Sequence, residues 1–214
     1  MLIAVPSGIL AGVLFGWRFG LTVAVLIVIA DIVVRSRTSA TVPAGTMATV
    51  AQRRTKRYLA RLERAGFRTL NARAIPGTDQ VIDHFVVGPT GVYSIDSEQW
   101  DKRLPVRTKN ARQLWHGPES QKHRLEHARW EAAQASELVG SALGMQLTVR
   151  PAMVVYGPAI PWGVATIRDV DVFGGKGLRK YLRRHPAGRR APRLDPGEVE
   201  RIRNAADSAL PPVT

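Results

Sequence analysis

The sequence predicts an α/β domain, a mixed β-sheet flanked by helices, preceded by an apolar N-terminal segment. Three observations predict it. From residue 47 onward the patterns run helix, three or four strands, helix, strand, strand, helix, helix, an order that builds a sheet with helices packed on it. "QVIDHFVVG" and "VYSIDSE" flank "GPTG", two β-branched runs around a turn signal. Residues 2–34 carry only two charges, Arg18 and Asp31.

Those first residues are too long an apolar run for a core helix, and they lack a basic leader and a cleavage site. They are expected to form a transmembrane anchor over residues 1–37, as one tilted helix or as a helical hairpin turning at "GWRFG". Each hairpin arm, 2–16 or 20–34, reaches about 22 Å at 1.5 Å per residue. That is short of a ~30 Å hydrocarbon core, so Trp17 and Arg18 would sit at the interface. Asp31 and Arg35 have the spacing of a helical ion pair. Arg35, Arg37, Arg53 and Arg54 follow the apolar run, which places the rest of the chain on the cytoplasmic side of the cell membrane. "TSATVPAGT", residues 38–46, reads as a linker.

The remaining elements follow in order. "MATVAQRRTKRYLARLERAG" (47–66) reads as a helix with Val50, Tyr58, Leu59 and Leu62 near one stripe and Gly66 as its stop. "FRTLNARAI" and "QVIDHFVVG" are strands around "PGTD", and "RLPVRT" is a short strand. Residues 119–140 form a helix whose apolar stripe is Leu125, Ala128, Ala132, Ala135 and Val139. "LTVRPAMVVYG" is a buried strand and "VDVFGG" a shorter one. "KGLRKYLRRH" and "PGEVERIRNAADSAL" are helices, the second capped by Asp195-Pro196. Residues 47–188 form the main domain in this reading, and 189–214 a C-terminal helix and tail.

The chain has 214 residues, 45% of them apolar, no cysteine and a net charge of +14. The absence of cysteine excludes disulfides and thiolate metal sites. The positive balance suits nucleic acid or anionic lipid head groups as partners. A GC-rich genome is the plain alternative, since 25 of the 31 basic residues are Arg.

The 81–99 hairpin carries the chemistry. Asp83 and Asp96 interrupt its apolar runs, and Asp96 and Glu98 project from one face. If Gly88 pairs with Gly91, Asp83 lies opposite Asp96. If Gly91 is a bulge, Asp96 faces His84. In the first register two like charges oppose each other, and a divalent cation resolves the repulsion. Mg²⁺ or Mn²⁺ held by Asp83 and Asp96 would suit phosphodiester hydrolysis.

"GFRTLNARAIPGTDQVIDHFVVGPTGVYSIDSEQW", with the helix before it and the later "RPAMVVYG", resembles the nuclease-related domain (NERD) family over most of residues 45–185. The resemblance implies a PD-(D/E)xK, restriction-endonuclease-like fold. Asp83 would be its first acid and Asp96 its second. It also implies a helix glutamate and an acid-x-Lys pair. Here Gln52 stands near the helix position and Glu98 at the lysine. The expected function is metal-dependent phosphodiester hydrolysis or nucleic-acid binding. The alternative is a catalytically silent, membrane-tethered binding module. Glu98 is expected as an exposed strand-end residue or a third metal ligand, with Lys102 or Arg103 as relocated cations.

Two motifs compete for attention. "HRLEH", His123 to His127, matches a zinc-protease spacing, but the histidines lie away from the apolar stripe, as on a solvated face. Residues 176–193 hold eight Lys or Arg and no acid, a candidate phosphate or lipid contact. Trp115 and His116 are expected as a loop plug.

Overall fold

A computed structural model of the chain describes residues 49–184 and 193–213. The expected anchor, the linker and part of the basic 176–193 stretch lie outside the described residues. No helix among the described residues is long and apolar enough to cross a membrane. The described residues belong to the unit Met47–Thr214.

The first helix, α1, spans Val50–Ala60. It starts at a reciprocal capping box. The Gln52 amide N–H donates to Thr49 Oγ1 (3.2 Å), and the Thr49 N–H donates to Gln52 Oε1 (2.6 Å). Its buried side is Ala51, Thr55 and Leu59, continued by Leu62. Val50, expected in that stripe, is 47% exposed, because the buried row begins one residue later. Gly66 ends the segment with a left-handed φ of 81°.

Strands β1 (Arg68–Ala74), β2 (Val81–Gly88) and β3 (Gly91–Gln99) form an antiparallel meander. Gly88 pairs with Gly91 and His84 with Ile95, so the register is the one without a bulge. A side chain at Gly88 would strike the Phe67 ring at 2.1 Å, which accounts for the glycine there. Next come three short strands, β4 (Val106–Lys109), β5 (Gln113–His116) and β6 (Glu119–Ser120), which make a separate small sheet. Trp115 and His116 therefore belong to a strand, and His116 stacks on Trp100 at 4.9 Å.

The long helix α2 runs Lys122–Leu143 and ends on Gly144. It buries the whole expected stripe, and Glu131 with it. Strands β7 (Val149–Tyr156), β8 (Ala165–Ile167) and β9 (Val170–Gly174) complete the main sheet, in the order β1-β2-β3-β7-β9-β8. The β3–β7 and β7–β9 pairs are parallel and the rest antiparallel, so the sheet is mixed. Helix α3 spans Leu178–Arg184 and α4 spans Pro196–Ala209.

The layers are helix, sheet, helix. On one face Ala51, Leu59, Phe67, Tyr181 and Leu182 pack on Val86, Ile95 and Val154. On the other, Ala135, Val139, Ile202 and Leu210 pack on Phe85, Val87 and Val92. Cover on both faces explains why the centre of β7 is continuously apolar.

Candidate functional site: a carboxylate cluster where two strands part

The β2–β3 ladder closes at His84 and Ile95. Beyond that pair the strands part, and the Asp83 carboxyl enters the gap. Its Oδ2 accepts the Ser97 main-chain N–H at 3.0 Å. Its Oδ1 accepts from Gln52 Nε2 at 2.5 Å. The capping box dictates the orientation of that amide, since Gln52 Oε1 already takes the Thr49 N–H. One residue thus starts α1 and fixes the first acid.

Asp96 meets Asp83 across the gap, carboxyl to carboxyl. Glu98 lies two residues on and is only 9% exposed, which corrects the expectation of an exposed strand-end residue. Both its oxygens are engaged: Oε1 pairs with the Arg124 guanidinium, and Oε2 accepts from Trp100 Nε1 at 3.1 Å. A buried carboxylate requires such partners. Arg124 therefore stands as the cation beside the cluster, while Arg103 is tied to Asp101 at 2.7 Å and Lys102 is exposed.

A fourth acid joins from α2. Glu131 is 6% exposed, and its charge is felt together with those of Asp96, Asp83 and Glu98. Arg124 and Glu131 escaped the sequence reading because apolarity defined the stripe. Their spacing places both in the row 124–128–131–135, whose other members, Ala128 and Ala135, are buried.

Burial dominates the electrostatics. It pushes the Asp83 carboxyl up to about 6, against the bonds from Gln52 and Ser97 that favour the charged form. Burial and then the charge of Asp83 push Asp96 up to about 7. Burial and then Asp96 push Glu98 to about 7, against the pull of Arg124. Glu131 is raised by burial and by the other three acids. Four mutually repelling carboxyls, of which Arg124 acts on Asp96 and Glu98, cannot all ionise cheaply without a further cation.

The adjoining His84 is a different case. Its Nδ1 lies 2.6 Å from Asn71 Oδ1, which accepts and so assigns the proton to Nδ1. Burial and the charge of Lys56 lower its pKa to about 3, so the ring stays neutral. His127 Nε2 lies 2.9 Å from Gln80 Oε1, and its Nδ1 lies 3.4 Å from Glu131 Oε1. Among the described residues no group of three or more His, Asp or Glu side chains is arranged to hold a metal ion.

Asp83 and Asp96 nevertheless suit a hard cation on donor chemistry. Both are oxygen ligands, and their carboxyls touch. Mg²⁺ commonly uses one or two carboxylates and completes its shell with water and substrate oxygens.

A family model described as nuclease-related domain matches residues 48–156. That range runs from the start of α1 to the end of β7 and includes all four acids, Gln52 and Arg124. No curated protein and no solved structure matches the chain.

Proposed function

Because the chain belongs to the nuclease-related domain family, we propose that it hydrolyses phosphodiester bonds in nucleic acid at the Asp83–Asp96 cluster, with Mg²⁺ or Mn²⁺ as cofactor. The observation that carries this is the direct meeting of two carboxyls where β2 and β3 separate. When bound, a divalent cation supplies a Lewis acid for the phosphate and a more acidic water. Asp83 and Asp96 would hold the cation, and Gln52 and the Ser97 N–H keep Asp83 in its orientation. Arg124 takes the electrostatic part that the family lysine would have. A guanidinium carries five N–H donors, enough to hold Glu98 and still meet a phosphate oxygen. The layered α/β fold is in keeping with the restriction-endonuclease-like architecture that the resemblance implies.

A second reading has its own observation. Gln52 and Glu98 spend their polar atoms on protein partners. A domain that satisfies these groups internally, without the family lysine, also suits a silent binding module. Cleavage of labelled single- and double-stranded DNA and RNA separates the two. Hydrolysis that needs Mg²⁺ or Mn²⁺ and vanishes in Asp83→Asn supports the enzyme. Nucleic-acid binding without hydrolysis supports the module.

The apolar 2–34 segment and the arginines after it support a membrane anchor with the domain on the cytoplasmic side. The basic residues of 176–193 would then face anionic head groups or nucleic acid.

A further inference from the structure

A cleft of about 680 Å³ lies at the C-terminal ends of the parallel strands β7 and β9, apart from the carboxylates. Crevices at the carboxyl ends of parallel strands are where open α/β sheets bind ligands. Its size is that of a small-molecule site. Arg54 and Tyr58 enter it from α1, Tyr156 from the end of β7, Trp162 from the following loop, and Lys176 from the segment after β9. No acid lines it. The Trp162 indole is held in place by donating Nε1–H to the Val172 carbonyl at 3.2 Å.

Two of the lining glycines are not explained by the protein's own packing. Gly175 must be glycine, because a Cβ there would meet the Tyr156 ring at 2.1 Å. Gly163 has no atom within 4 Å of a Cβ position and no left-handed φ. Gly177 likewise has only ordinary contacts, the nearest at 3.8 Å, and no left-handed φ. Main chain without a side chain at these two lining positions leaves room for a ligand to approach closely.

From these features we infer that the cleft binds one nucleotide unit of a single strand, with its phosphate on Arg54 and Lys176 and its base against Trp162 and Tyr58. Cations opposite aromatic walls are the usual means of holding single-stranded nucleic acid without reading its sequence. A lipid head group would use the cations but not the rings. The cleft also adjoins the carboxylate strand. Tyr156 pairs in register with Gln99, and its hydroxyl lies 3.0 Å from Thr55 Oγ1, which accepts from Ser97 Oγ at 2.8 Å. The inference rests on the reading of this domain as one that acts on nucleic acid, and it supplies the seat for a nucleotide near the one attacked.

The test is titration of the full-length chain with thymidine 3′,5′-bisphosphate in EDTA, read by tryptophan fluorescence. Saturable quenching is expected, weakened at least tenfold in Arg54→Ala/Lys176→Ala and in Gly163→Leu. The leucine enters open space, so an unchanged thermal midpoint shows that lost binding is occlusion rather than misfolding. Equal affinity in either cleft variant would overturn the proposal. So would equally effective competition by inorganic phosphate. A third contrary result is no response to the nucleotide together with loss of binding to phosphatidylglycerol vesicles in the charge variant, which would make the cleft a head-group site. Failure of the catalytic reading looks different: no metal-dependent cleavage, with cleft binding intact.

Discussion

At the scale of single residues, the cluster is a set of acids raised by burial and by one another. Their folded values, about 6 for Asp83 and about 7 for Asp96 and Glu98, stand above ordinary carboxylate values near 4. Between about pH 4 and 7 the folded chain therefore holds protons that the unfolded chain has shed, and stability falls as pH rises through that window. For Glu98 alone the effect is on the order of 3 kcal/mol when fully ionised. His84 acts in the opposite sense: its folded value of about 3 lies below the usual 6.5, so its contribution is complete above pH 6.5 and is lost on acidification. The difference between wild type and Asp96→Asn isolates the acids. In EDTA the variant should melt higher than wild type at pH 8, and the gap should close toward pH 5. Thermal melts at the two pH values check this. Arg124→Ala leaves Glu98 buried without its cation and should cost about 3 kcal/mol in urea unfolding. Adding Glu98→Gln should recover part of that loss, because the stranded charge is gone.

At the scale of elements, the β2–β3 hairpin and α1 build the site together. The hairpin brings the two acids to one gap, and the capping box of α1 presents Gln52 to the first of them. Gln52→Ala removes a cap and a clamp together and should cost about 1–2 kcal/mol in chemical denaturation. Gly88→Ala should cost at least as much, about 1–3 kcal/mol by overpacking, since its Cβ would overlap the Phe67 ring. The hairpin was legible in the sequence because β-branched runs around a Gly-Pro-Thr-Gly turn admit few alternatives. Its register was not, since a bulge at Gly91 differs by a single residue. Glu98 was misjudged because alternation gives the face of a side chain, whereas its burial depends on α2 and Trp100, which are distant in sequence or beyond the strand end. The small sheet β4–β6 was only partly legible, since its strands are four, four and two residues long and largely charged or exposed.

At the scale of the whole molecule, the order of helices and strands was readable, because each element has its own period and its own stop. Lateral strand order was not, since β9 adds beside β7 while β8 takes the edge. The net charge of +14 is a property of the full chain. It implies that oligonucleotide affinity falls steeply with salt, linearly in log–log form, as counterions are released. A titration series from low to physiological ionic strength checks this, and an affinity indifferent to salt would contradict it.

Whether the carboxylates form a divalent-cation site is tested most directly by calorimetric titration of Mn²⁺ into the whole 214-residue chain. Binding is expected at pH 8, much weaker at pH 5 where the raised carboxyls keep their protons, and abolished by Asp83→Asn or Asp96→Asn. Equal Mn²⁺ binding in wild type and both variants, or none in wild type at pH 8, would contradict it.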